Sequence, residues 1–134
     1  MPGLAAREVA LGGLALLAGA TALAVAAQRD RHTASGPTPV GSFTALAGSS
    51  GPQVFGRRSA CGGVITEQTE GIAHPTLPCG ARVFISFDGK TVLTEVVDHG
   101  PLAAGRQLDL TDALARRLGL RGVQLVHWSY AQAP

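Results

Sequence analysis

The chain has 134 residues, 46% of them hydrophobic, with two cysteines and a net charge of +2. That length holds one small domain behind an atypical first quarter and excludes a second enzyme domain. Its eleven basic residues are scattered, with only Arg57-Arg58 and Arg116-Arg117 adjacent; with no basic stripe or interleaved aromatics, nucleic acid is excluded as a partner.

From the N-terminus, the first element is the apolar run VALGGLALLAGATALAVAA, residues 9–27, preceded by Arg7 and Glu8. It reads as a secretory signal with a small-x-small cleavage site at Ala24-Val25-Ala26, or as an uncleaved anchor just long enough to approach a bilayer span. Arg29 and Arg31 come directly after it, and an anchor prefers such charge on the cytoplasmic side. Both readings export the rest of the chain to a secreted or extracytoplasmic location. In the second, residues 9–27 also tie it to the membrane. Segment 1–27 is thus expected as signal or anchor and 28–52, rich in Ser, Gly, Pro and Ala, as a linker. A short strand around Ser42–Leu46 fits within it. The folded domain is expected over 53–130, as a monomer.

Cys61 and Cys79 suit an oxidising compartment. Bridged, they would add about 3 kcal/mol by loop closure; otherwise they are two unrelated buried thiols. They form no zinc site, since no histidine stands at zinc-finger spacing from them. Neither metal nor cofactor is called for.

Further along, RVFISF and TVLTEVV alternate in hydrophobicity around Asp88-Gly89, a dipeptide favoured in two-residue hairpin turns. A hairpin is expected over 82–97 and another strand over 123–130. Between them TDALARRLGL reads as a helix capped by Thr111 and closed by Gly119, with Leu110, Leu114 and Leu118 on its packing face. The fold class is therefore mainly β with one short helix. A closed barrel would remove the exposed strand edges.

The hairpin's second strand runs into Asp98-His99-Gly100-Pro101. Asp98 is held by rigid backbone on both sides, as a catalytic acid requires; an Asx-turn, in which its carboxylate accepts backbone N–H groups, explains the same residues. His74, between the expected bridge and two prolines in GIAHPTLPCG, either orients a carboxylate or contacts sugar, or is a hydrogen-bonded structural residue. His99 is next to Asp98 on the strand and so points to the opposite face. Arg106 is placed to pair with an acid. Glu67 and Glu70 are the other acids able to face a cleft, or else lie on a solvated loop. Asp109 reads as a structural or capping residue, with Gly100 and Pro101 as structural turn residues. No phosphate-cradling loop, G-x-S-x-G or His-Glu-x-x-His occurs.

Together FGRRSACGG, GIAHPTLPCGARV and VVDHGPLAAGRQLDLTDALARRLGL resemble the rare lipoprotein A-like double-psi β-barrel family, which is related to expansins, barwin-type proteins and barrel-type endoglucanases. The resemblance covers roughly residues 54–128. It implies a six-stranded barrel with crossed ψ loops, exported to the cell envelope and acting on peptidoglycan or a related wall glycan. It matches Asp98 to the family's aspartate in Asp-x-Gly-Pro and His74 to the histidine before Thr-Leu-Pro, the expected catalytic pair; Arg106, His99, Glu67 and Glu70 are the residues expected to bind substrate. The implied activity is lytic transglycosylation, with Asp98 as general acid/base. Alternatives are a non-catalytic expansin-like wall-binding or wall-loosening module and a barwin-like protein-binding or protease-inhibiting module. Two departures stand out: Gly63 occupies the position of a family glutamate, and the aromatic first strand is absent, leaving Phe43 and Phe55 nearby.

Overall fold

The computed structural model describes residues 35–134; the apolar run at 9–27 and the start of the expected linker lie outside the described residues. Among the described residues, six strands are β1 (Thr38–Ser49), β2 (Ile72–Ala73), β3 (Arg82–Phe87), β4 (Lys90–Asp98), β5 (Leu108–Leu110) and β6 (Gln124–Gln132), with one α-helix, α1 (Asp112–Leu118). They close into a barrel in the order β1–β5–β2–β4–β3–β6.

The boundary expected at residue 53 is corrected. The first barrel strand occupies 38–49, well beyond the short strand placed at 42–46. Its composition hid it, because the residues it turns inward are alanines, Ala45 and Ala47, both buried. Alanine scarcely registers as hydrophobic alternation, yet both residues belong to the core cluster. Gly41, at φ 76°, lies where the pairing with β6 shifts register between Val40 and Phe43.

The hairpin forms as its turn residues dictate. Asp88 and Gly89 take φ of 48° and 76°, the two positive values that a type I′ turn needs. Val83, Ile85, Val92 and Val96 then face the core. Helix α1 also obeys its caps. The Thr111 hydroxyl accepts the Leu114 N–H at 3.4 Å, and Gly119, at φ 71°, donates its N–H to the Ala115 and Arg116 carbonyls. Leu114 and Leu118 are fully buried. The Thr111 hydroxyl also accepts the Gly71 N–H at 3.1 Å, tying the helix start to the entry of β2. Thr111→Ala is expected to cost about 1–2 kcal/mol in urea unfolding, because it removes both contacts, while Thr111→Ser keeps most of that stability.

Two parallel pairs, β1/β5 and β2/β4, set the site. In register, Gly48 lies opposite Asp109, Asp109 opposite Ala73, and Ala73 opposite Asp98. One row therefore crosses four strands and carries an aspartate at two of its four positions. Between Ile72 and Ala73 the β2/β4 register slips, the kind of irregularity that re-aims a side chain.

Candidate functional site

Asp98 is the last residue of β4 and is only 3% exposed. Its Oδ1 accepts the backbone N–H groups of Ala60 and His99, both at 2.9 Å, and its Oδ2 accepts from Arg57 Nη2 at 2.9 Å. Every partner is a donor, so the carboxylate is held as an acceptor, with one acceptor position of Oδ2 unclaimed. The Ala60 amide comes from a loop shaped by a bridge between Arg58 and Val64 and by the Ser59 N–H on the Gly63 carbonyl at 2.7 Å. A disulfide between Cys61 and Cys79 ties that loop to the start of the hairpin. The free-thiol reading of the two cysteines is thereby set aside.

Beside Asp98 lies a pocket of about 310 Å³. The ionisable groups lining it are Arg57, Asp98, Arg106 and Asp109. Asp109 is 5% exposed. Arg106 Nε approaches its Oδ1 to 3.1 Å, an ion-pair separation, but neither atom makes an aligned hydrogen bond. Arg106 instead gives Nη1 to the Ser49 carbonyl at 3.0 Å, lying over Gly48, where a side chain would collide with the guanidinium. Burial pushes the Asp109 carboxyl above its ordinary value, and the Arg106 charge opposes part of that rise. Asp109, expected as a structural or capping residue, lines the pocket, and the helix cap is Thr111. Gly100 and Pro101 line the same pocket, and Gly100, at φ 118°, takes a conformation that favours glycine.

The other expected residues are dispersed. His74 does not line this pocket. Its Nδ1 accepts the N–H groups of Thr76 and Leu77, each at 3.2 Å, and its link to Asp98 runs through backbone, from its own N–H to the Asp98 carbonyl at 3.0 Å. Burial and, secondarily, the neighbouring His99 lower its pKa. Depression favours the neutral ring in the fold, so its contribution is complete above pH 6.5, the ordinary value, and is lost as pH falls through the lower folded value. Thermal melts from pH 8 to 5 should therefore decline more steeply for wild type than for His74→Gln.

His99 turns away, with Nε2 at 3.5 Å from Cys79 Sγ. Glu70 pairs with Arg117 at 2.8 Å on the exposed surface, and Glu67 offers its carbonyl to Arg116. Neither glutamate lines the Asp98 pocket. Gly63 is exposed, with nothing within 4 Å of an added Cβ. Three aromatics do gather: Phe43, Trp128 and Tyr130 cluster across β1 and β6 with ring centroids 4.5–5.7 Å apart, and His74 lies edge-on to Trp128 at 6.1 Å. Arg57 and Gly48 are the site residues that sequence reasoning missed; the motif FGRRSACGG contained Arg57 without revealing its partner.

No protein-family model matches the chain. Over 72 residues it is 38% identical to a probable endolytic peptidoglycan transglycosylase RlpA of Synechocystis, covering 52% of this chain and 22% of that protein. Over 74 residues it is 35% identical to the endolytic peptidoglycan transglycosylase RlpA of Pasteurella multocida, covering 54% and 25%. The chain thus spans about a quarter or less of these two relatives. Among solved structures, the Streptomyces papain inhibitor superposes with a TM-score of 0.55 at 24% identity, over 72% of this chain and 99% of that one. That likeness concerns the fold.

Proposed function

We propose, from the premise that this chain carries an RlpA-like double-psi β-barrel, that it acts in the cell envelope on peptidoglycan glycan strands as a lytic transglycosylase. One observation supports the reading above the others: a pocket holding two buried aspartates, in a barrel whose relatives are named peptidoglycan transglycosylases. In that chemistry a carboxyl protonates the glycosidic oxygen while the sugar's own 6-hydroxyl attacks the anomeric carbon, leaving an anhydro end. The protein supplies acid and base and needs no cofactor. Asp98 is the residue on which this reading centres. Its backbone is locked at a strand end, and its carboxylate is oriented by three donors. The aromatic cluster near His74 offers apolar faces of the kind sugar rings stack on.

A second reading, a non-catalytic glycan-binding module, draws support from the same three donors, which already occupy most of the Asp98 carboxylate, and from Gly63 at the family's glutamate position. Incubating the purified protein with peptide-stripped glycan strands separates the two. Wild type should release anhydro-ended fragments detectable by mass, and Asp98→Asn should release at least about 100-fold fewer. Absence of anhydro ends with retained sedimentation on wall material would leave binding alone. Loss of both would end the glycan-directed reading.

A further inference from the structure

We infer that Asp109 is the proton donor of this site, with Asp98 as the proton acceptor opposite it. This rests on the glycan-cleaving reading and assigns the two roles within it. Both aspartates are register partners of Ala73, so two strand spacings, about 10 Å, separate their Cα atoms. Both line one pocket.

Their contacts differ as a donor's and an acceptor's should. Asp98 meets only donors: the Ala60 and His99 amides and the Arg57 guanidinium. They leave one position, on Oδ2, open to accept a proton. Asp109 is buried as deeply but makes no aligned hydrogen bond through Oδ1; Arg106 Nε stands 3.1 Å from it as an ion pair, while Arg106 Nη1 goes to the Ser49 carbonyl. The pair lacks the two parallel bonds of the strongest Arg–carboxylate contacts. Burial also raises the Asp109 carboxyl, which favours the protonated form an acid must start in. Two carboxyl groups with environments that differ in this way divide acid and base work between them.

The step balances. The Asp109 proton passes to the glycosidic oxygen as the bond from that oxygen to the anomeric carbon breaks, its electron pair staying with the leaving sugar. The 6-hydroxyl oxygen bonds to the anomeric carbon and yields its proton to Asp98 Oδ2. Proton exchange with solvent resets the pair, and no water is consumed.

The test compares peptide-stripped glycan strands with a short glycan bearing a 4-nitrophenolate leaving group, whose departure needs no proton. Asp109→Asn should lose about 100-fold or more on the natural strand and less than about 5-fold on the activated one. Equal losses on both substrates would overturn the assignment, as would unchanged cleavage of the natural strand. Should this variant fail to melt cooperatively, Arg106→Gln decides. The charged and titratable groups facing Asp109 in the pocket are Arg106, Arg57 and Asp98, and Arg106 holds Asp109 down. Removing Arg106 should move the alkaline limb of natural-strand cleavage to higher pH, and a limb that stays put refutes the role. If wild type releases no anhydro product, the glycan-cleaving reading falls and this inference with it. If wild type cleaves and these variants behave as refutation requires, the inference falls alone.

Discussion

Replacing Asp98 with alanine should lower the stability of the barrel by about 2–4 kcal/mol, measured by urea unfolding at neutral pH. The cost comes from what is left behind. The Ala60 and His99 N–H groups lose their acceptor in part-buried contacts, and each stranded donor costs about 1 kcal/mol, the low end of the range for buried donors. Arg57 contributes less, because its side chain is 40% exposed and can be hydrated once the partner is gone. Asp98→Asn should cost less than alanine, since its carbonyl oxygen can still accept both amides while its NH₂ faces a guanidinium that also donates. A loss below about 0.5 kcal/mol for alanine would mean that these three contacts do not organise the loop from Arg57 to Gly63.

Removing the disulfide through paired Cys61→Ser and Cys79→Ser substitutions should cost about 3 kcal/mol, the loop-closure value for cysteines 18 residues apart. The bridge adjoins the Asp98 contacts directly, because Cys61 is the residue after Ala60 and Gly80, next to Cys79, donates its N–H to the Val96 carbonyl at 2.8 Å. Freed of the bridge, the loop should hold the Ala60 amide over Asp98 less well. The double-cysteine and Asp98→Ala changes should therefore be sub-additive, by about 1 kcal/mol in a double-mutant cycle. Strict additivity would show that the loop holds its shape without the bridge.

Much of the architecture was legible because its signals are local. The Asp88-Gly89 turn, the alternation in β3 and β4, and the caps Thr111 and Gly119 each act within a few residues of themselves, and each formed as its chemistry requires. Strand β1 was obscured because its inward residues are alanines, and only the closed barrel shows that they face its core. The site was legible in part. Asp98 stood out through its rigid flanks, but its partners lie 38 and 41 residues away at Ala60 and Arg57, a separation that no local pattern encodes. Glu67 and Glu70 share the Cys61–Cys79 loop, yet their position in it does not bring them to the Asp98 pocket.

By itself, the sequence determined a mainly β domain with one helix, a hairpin, two cysteines able to close a loop and an aspartate at a strand end. Turn chemistry, hydrophobic periodicity and capping are properties of short segments, and they persist whatever the rest of the chain does. Only the tertiary structure decided which acid stands beside Asp98. Strands β4, β2 and β5 come from distant parts of the chain, and barrel closure sets them in a register that puts Asp98, Ala73 and Asp109 in one row. A residue that reads as structural or capping in isolation is, in that row, the second carboxyl of the pocket.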